Sequence, residues 1–325
     1  MKAIVCKAFG PIEDLVLEEV ADPVPGAGQI VIDVHAAGVN FPDGLTVRGE
    51  YQFKPARPFT PGNEVAGVVS ALGDGAHGFA LGQRVVAASS LGGFAQKVAV
   101  DAAAALAIPE GMDFATASGF MLVYGTSLHA LAGRGRLKAG ETLLVLGAAG
   151  GVGLAAVEIG AALGARVIAA ASSDEKLALA KAHGASIGIN YATSDLKAEL
   201  KRLVPEGVDV AYDPVGGALT EAAVRGLAWR GRLLVVGFAA GDIPKLPLNL
   251  LLLREAEAIG VFWGSFIQRY PAEHARNVAQ LMAWYNEGKV RPHIGARFPL
   301  SQTRDALALV MGRGALGKIV IEPQS

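Results

Sequence analysis

The sequence predicts an α/β fold: a doubly wound parallel sheet joined to a second, mostly β domain. Three observations carry this reading. A short apolar strand at Leu143–Leu146 runs into a turn containing Gly147, Gly150, Gly151 and Gly153, and then into the small-residue helix LAAVEIGAALGA. From Thr142 onward, strand-like and helix-like stretches alternate, the pattern of a parallel sheet with crossover helices. Before about residue 110 that alternation is absent. IVIDVHAAG, EVAGVVSALG, RVVAASS and FAQKVAV instead read as short β segments, separated by Pro/Gly turns such as Asp22 to Gly28 and Gly73 to Gly78.

Taken in order, MKAIVCKAF alternates like a first strand, with Cys6 buried in it. The stretch Asn40 to Asn63 is long, irregular and rich in proline and polar groups. A loop of that length in a compact domain is usually functional. After Pro109, with Asp113 placed to cap, the pattern turns helical through Ala132. Six strand candidates follow: Thr142–Leu146, Val167–Ala171, Ile187–Ile189, Val208–Tyr212, Leu233–Val236 and Ala258–Phe262. Helical stretches separate the first five, and the apolar run Leu246–Leu253 fits no firm assignment. Beyond Gly264 the alternation stops. PAEHARNVAQLMAWYNEG reads as one amphipathic helix with Val278, Leu281, Met282 and Tyr285 on a face. A strand at Ala296–Pro299, a helix at Thr303–Met311 and a strand at Lys318–Ile321 complete the chain. Six βα strands already complete a sheet, so this tail is expected to return to the first domain. The expected division is 1–122 with 265–325 against 123–264.

The chain of 325 residues exceeds one typical core and suits two domains. A net charge of −1 gives no general attraction to nucleic acid or anionic membrane. The single cysteine, Cys6, makes no internal disulfide and fits a reducing compartment. MKAIVCKAF has no signal-peptide layout. The longest uncharged apolar run, around Leu143, ends at Glu158, is broken by glycines and is short for a membrane span. Together these predict a soluble cytoplasmic protein.

The glycine turn carries the chemistry. Strand, glycine turn and helix in that order form a phosphate cradle, because glycines let the backbone approach a pyrophosphate and the helix start offers N–H groups and a positive dipole end. The frame is G-x-G-x-x-G with Ala148 in place of the first glycine. RVIAAASSDEKLALAKAHGA repeats strand, loop and helix, with Gly184 suited to the helix end. NAD-type sites place an acid at the end of this second strand to bond the ribose 2′-OH. Here the position is about Ala171, followed by Ser172 and Ser173, with Lys176 nearby. No acid blocks a 2′-phosphate, which favours NADP. The same residues also fit a capping box, Ser172 to Glu175, and Asp174 and Glu175 would repel a phosphate that they faced.

At this point the layout resembles the medium-chain dehydrogenase/reductase superfamily and, within it, the zinc-free NADPH:quinone oxidoreductase family. The matching segments are AAGVNFPDGLTVRGEY, PGNEVAGVV, GAAGGVG, INYATSDL, DVAYDPVGG, GRLLVVGF and GKIVIEP, spread over essentially the whole chain. The resemblance implies a Rossmann doubly wound domain inserted in a mostly β, GroES-like barrel domain. Zinc-dependent relatives carry a cysteine near Asn40, a histidine beside Glu64 and a four-cysteine lobe. Here those two positions are Asn40 and Asn63, and Cys6 is the only cysteine. A catalytic zinc needs about three protein ligands. Glu64 with the scattered His35, His77, His129, His183, His274 and His293 does not make that set, so no metal is expected. Without a metal the chemistry must suit a bare hydride donor. Quinones and activated alkenes, already electron-poor, qualify.

The family motif implies cofactor contacts for Gly150, Gly151, Val152 and Gly153 along the pyrophosphate. Ser172, Ser173 and Lys176 fall at the 2′-phosphate, and Tyr191 at the adenosine phosphate. Val215 and Phe238 lie at carboxyl strand ends, where ligands bind. Thr126 and the segment Phe262 to Gly264 fall at the nicotinamide. Lys318 is a cofactor candidate that reads equally as a surface lysine. On the substrate side the resemblance points to Asn40, Asp43, Tyr51 and Tyr124: Asn40 to orient the ribose or a substrate oxygen, Tyr51 to donate to a quinone carbonyl. Asp43 reads equally as a residue that only fixes its loop. The leading expectation is an NADPH:quinone oxidoreductase acting on a small-molecule quinone. Two other readings stay open. One is an NADPH-dependent C=C reductase of enals, enones or short enoyl thioesters, with Arg48, Lys54 and Arg57 as charge for a large acyl carrier, although a solvated face explains them too. The other is a non-catalytic NADPH-binding sensor. By resemblance the chain is expected to form a homodimer through paired Rossmann edge strands.

Overall fold

A computed structural model describes residues 1–325, which divide into two compact units: Met1–Leu122 with Pro292–Ser325, and Val123–Arg291. The chain begins with β1 (Lys2–Val5), which pairs antiparallel with β2 (Val16–Glu19). Cys6 follows β1, is buried, and bridges to Phe59. The long strand β3 (Gln29–Val39) then leads into a helix, α1 (Phe41–Arg48).

That helix corrects the expectation of an irregular Asn40–Asn63 stretch. Asp43 at the third helical position accepts the Asn40 backbone N–H at 2.8 Å, Pro42 sits in the first turn, and Gly49 closes the helix with φ of 71°. These are ordinary start and stop signals packed into a short span. β4 (Glu64–Leu72), β5 (Arg84–Ala88), β6 (Lys97–Asp101) and β7 (Ala105–Ala107) follow, then α2 (Phe114–Ser118), capped by Asp113 through Thr116 N at 2.6 Å. The chain passes from the first unit to the second within α3 (Met121–Leu128).

The second unit is a six-stranded parallel sheet: β8 (Thr142–Leu146), β9 (Arg166–Ala171), β10 (Ile187–Asn190), β11 (Val208–Asp213), β12 (Leu227–Val235) and β13 (Glu257–Gly260). Their spatial order is β10-β9-β8-β11-β12-β13, the doubly wound arrangement that reverses direction beside β8. Leu143 to Leu146 are completely buried, as strands covered on both faces must be. The crossover helices are α4 (Gly151–Ala162), α5 (Asp174–Ala182), α6 (Leu196–Leu203) and α7 (Ala218–Arg225). The unassigned apolar run forms the short α8 (Asn249–Leu252), whose neighbours Leu248 and Leu253 stand exposed with Leu252.

Two helices, α9 (Trp263–Arg269) and α10 (Pro271–Asn286), stay with this unit. The expected return to the first domain at residue 265 is therefore corrected to Pro292. Burial explains the difference. Trp263, Phe266, Leu281 and Trp284 are all buried, and the Arg291 backbone N–H is held by Glu158 of α4 at 3.0 Å. The tail then adds β14 (Ile294–Pro299), α11 (Thr303–Met311) and β15 (Lys318–Glu322). The strands complete a seven-stranded sheet, ordered β14-β15-β3-β4-β5-β7 with β6 paired to β3. The core of this first unit includes Ile30, Ile32, Val65, Val85, Phe94, Ile319 and Ile321.

The register of α4 on β8 rests on one close approach. A Cβ at Gly153 would lie 2.1 Å from Gly147 O, so only glycine fits. Gly153→Ala is expected to lose about 1–3 kcal/mol of stability through overpacking, read from urea unfolding of the purified protein.

Candidate active site

In the second unit the carboxyl ends of the parallel strands bring together most of the residues expected at a nucleotide. β8 ends in Gly147, which turns with φ of 58°. Gly150 is the N-cap of α4, and the first bond of the helix runs from Leu154 N to Gly150 O at 2.8 Å. The amides of Gly151, Val152 and Gly153 thus belong to the helix start, where N–H groups have no intrahelical partner. A Cβ at Gly150 would meet nothing closer than Gly147 O at 3.6 Å, so the backbone there is open to a ligand. Such a turn fits a pyrophosphate.

At the end of β9, Ser172 Oγ accepts from Lys176 Nζ at 3.1 Å. The N-cap of α5 is Ser173, whose hydroxyl oxygen accepts from Lys176 N at 3.3 Å. The third helical residue is then Lys176, so the Ser172-to-Glu175 capping box is corrected by one position. Asp174 Oδ1 accepts from Asn190 Nδ2 at 2.9 Å, which gives that carboxylate a partner. The Tyr191 N–H reaches back to Ala171 O at 3.1 Å, setting Tyr191 beside the β9 end and Ser172.

β11 ends in Asp213, a buried acid that shapes the next loop. Its Oδ1 accepts from Val215 N and Gly216 N, each at 2.8 Å, and its Oδ2 accepts from the Thr220 hydroxyl at 2.5 Å. Val215 is thereby fixed against Gly147, and Phe238, past the end of β12, packs on Gly216. Thr126 on α3 is half-buried. Its neighbour Gly125 leaves room for the Trp263 indole, whose Nε1 would lie 2.8 Å from a Cβ there. Phe262 is exposed and caps α9, with Gly264 in its first turn.

The first unit holds a different kind of cluster, at the end of β3 and the start of β4. Lys318 is only 4 % exposed, which corrects the surface-lysine alternative. Its Nζ donates to Asn40 Oδ1 and, at 3.1 Å, to Glu64 Oε2. Glu64 Oε1 accepts from Leu122 N at 2.8 Å. Asn40 Nδ2 faces Asn63 Oδ1 at 3.1 Å and Gly38 O at 3.3 Å. The Asn40 amide is therefore satisfied inside the cluster. Asp43 is buried beside it, and burial, only partly offset by the Asn40 N–H and the Lys318 charge, pushes its carboxyl up to about 7. Tyr51 is half-buried, and burial together with the Asp43 charge raises its phenol, so it stays protonated.

Tyr124 belongs elsewhere. It is 2 % exposed in the second unit, and its hydroxyl donates to Glu158 Oε2 at 2.6 Å. Burial and that carboxylate raise the phenol well above its ordinary range. The expected catalytic Tyr124 is thus a core residue. Glu158, which also meets His183 Nδ1 at 2.5 Å, escaped the sequence reading, although a lone acid in the apolar helix LAAVEIGAA was its signal. Asp213 and the buried place of Lys318 were missed as well. Each lay inside a segment already singled out, DVAYDPVGG and GKIVIEP, but contact order in space is not written in the segment.

No three His, Cys, Asp or Glu side chains converge as metal ligands. Glu64 pairs with an ammonium and two amides, a donor set that does not suit the three-ligand zinc centre of a dehydrogenase. The class that fold and cradle define is a dinucleotide-binding oxidoreductase of two domains. Family comparison matches residues 26–110 to the alcohol dehydrogenase GroES-like domain and residues 151–283 to the zinc-binding dehydrogenase family, a description whose metal the residues here do not fit. Quinone oxidoreductase-like protein 2 of Rattus norvegicus is 39% identical over 98% of this chain and 91% of its own. The quinone oxidoreductase from Thermus thermophilus, solved also in complex with NADPH, is 35% identical with a TM-score of 0.86, covering 99% of this chain and 100% of that one. The Escherichia coli quinone oxidoreductase complexed with NADPH is 27% identical with a TM-score of 0.92, over 99% and 100%. The chain belongs to the medium-chain dehydrogenase/reductase superfamily and, within it, to the zinc-free quinone oxidoreductase family.

Asp43 offers a direct check on this geometry. Its carboxyl moves from 3.8 in a model peptide to about 7 when folded, so the native state holds the proton more tightly. The stability it contributes is complete below about pH 4 and is lost as pH rises through about 7. Asp43→Asn lacks that loss. Relative to wild type, it is expected to gain stability between about pH 4 and pH 8, by up to about 4 kcal/mol. Urea unfolding across that range reads the difference, and a pH-independent difference would contradict the burial of Asp43.

Proposed function

We propose that the protein is an NADPH:quinone oxidoreductase, acting as a cytoplasmic homodimer on a small-molecule quinone. The observation that carries this reading is the β9 end, where Ser172 and Lys176 meet and no acid stands at Ala171. A serine hydroxyl and an ammonium suit the 2′-phosphate that distinguishes NADPH, whereas an acid there would select NADH. The solved relatives from Thermus thermophilus and Escherichia coli were both determined with NADPH, which supports the same choice. No helix of the chain is long and apolar enough to cross a membrane.

When bound, NADPH supplies a hydride. In this reading the amides of Gly151, Val152 and Gly153 bind the pyrophosphate, beside the open backbone of Gly150. Ser172 and Lys176 bind the 2′-phosphate, with Ser173 holding the helix start that presents them. Tyr191 lies at the adenosine phosphate, and Val215 and Phe238 line the strand ends. Thr126, Phe262 and Gly264 fall at the nicotinamide. On the acceptor side, Tyr51 is the half-exposed donor among the polar groups of the first unit. Its phenol donates a hydrogen bond to the quinone oxygen on which negative charge grows, and water then protonates that oxygen. Asn40, Asp43 and Lys318 hold the wall from which Tyr51 acts. The proposed dimer draws on the exposed Leu248, Leu252 and Leu253 of the unit that contains the edge strand β13.

Loss of NADPH absorbance on adding quinones, beside enones and enoyl thioesters as alternative acceptors, is the direct test. Turnover with quinones is expected. Turnover with the alkenes alone would shift the reading to C=C reduction, and binding without turnover would leave a sensor. Lys176→Ala is expected to weaken NADPH by roughly ten- to a hundredfold while leaving NADH nearly unchanged, since one charge-assisted phosphate contact is worth about 1.5–3 kcal/mol. Equal loss for both nucleotides, in a binding titration, would contradict the placement of the 2′-phosphate.

A further inference from the structure

The buried ammonium of Lys318 has a route built for it. A Cβ on Gly38 would lie 2.8 Å from Lys318 Cε and 2.8 Å from Glu64 Oε2, and one on Gly119 would lie 2.8 Å from Lys318 Cγ. Two glycines, one on β3 and one at the end of α2, therefore open the slot through which the lysine stem passes. Burying a charge is unfavourable unless it is paired and hydrogen-bonded. Here the ammonium meets Glu64 Oε2 and Asn40 Oδ1. Its contact with Oδ1 decides which way the Asn40 amide faces, because the Nδ2 group is then left for Asn63 and Gly38. The Asn40 backbone N–H in turn holds Asp43 Oδ2 at 2.8 Å. A line of contacts runs from Lys318 through Asn40 to Asp43.

We infer that Lys318 is a positioning residue of the acceptor site: its ammonium, paired with Glu64, fixes the Asn40 side-chain amide and with it the residue whose backbone N–H holds the Asp43 carboxyl. The groups facing Asp43 agree with this. Glu64 on β4 and Lys318 on β15 act on it with opposite sign, and the Asn40 N–H bonds it. The helix packed across α1 contributes the neutral thioether of Met311 against Gly44. Lys318 is the one cation in this set.

The inference rests on the quinone reductase reading only where it concerns turnover, and the test separates the two. The Lys318→Met/Glu64→Gln variant removes both charges together. It is expected to melt near wild type, to keep its KM for NADPH, and to lose tenfold or more in kcat with a quinone. Its Asn40 side-chain amide resonances, in a spectrum of ¹⁵N-asparagine-labelled protein, are expected to shift. In Lys318→Met alone, the Asp43 carboxyl, followed by ¹³C NMR and assigned with Asp43→Asn, is expected to titrate at higher pH than in wild type. If the single variant does not fold, the double variant carries the test. A double variant with wild-type kcat and unmoved Asn40 resonances would overturn the inference, since Lys318 would then only neutralise Glu64. An unmoved Asp43 titration in a folded Lys318→Met would overturn it too. A wild-type protein that reduces no quinone would sink the functional reading, and the Asn40 and Asp43 resonances would still decide the role of Lys318.

Discussion

The contact of Gly153 with the carbonyl of Gly147 fixes where α4 starts, and much of the second unit depends on that start. Backbone packed on backbone leaves no space for a side chain, so α4 lies close on β8 and its first amides fall at the carboxyl edge of the sheet. Asp213 performs the matching task on β11, turning its loop by two backbone bonds and bringing Val215 against Gly147. The cradle is therefore a property of backbone geometry. Few side chains are needed to form it; at the β9 end Ser172 and Lys176 meet beside it.

The first unit solves an opposite problem. Its cluster is built from side chains, and it places the Glu64 and Asp43 carboxyls, the Lys318 ammonium and the Asn40 amide out of water. Such groups are tolerable only when nearly every donor has an acceptor, which is why the Asn40 amide is consumed internally. In this chain the Lys318 ammonium stands beside Glu64 and pairs with it, so each buried charge is balanced by the other.

The architecture was largely legible in the sequence because it follows from periodicity and punctuation. Strands such as Thr142–Leu146 and the helix Thr303–Met311 appear at the residues their patterns indicate. The glycine turn and the missing acid at Ala171 were legible for the same reason, since local geometry requires those residue types. What escaped depends on partners distant in the chain. Lys318 and Asn40 are 278 residues apart, and nothing in GKIVIEP distinguishes a buried ammonium from a solvated one. Tyr124 was misread because a tyrosine near a cofactor motif carries no mark of the buried Glu158 that claims its hydroxyl. The boundary at Pro292 was misplaced because the end of strand–helix alternation does not show where a following helix buries its Leu281 and Trp284. The α1 helix was hidden by its own stop signals, which in a proline-rich stretch look like loop.

Cys6 gives this chain an internal reporter. It is the sole thiol, lies within the first unit's apolar interior, donates to Ala8 O, and is made less acidic by burial. A thiol in that state reacts with disulfide reagents only when its surroundings open. The rate at which an aromatic disulfide labels the native protein therefore clocks local opening around β1, with no engineered probe and no competing sulfhydryl to correct for.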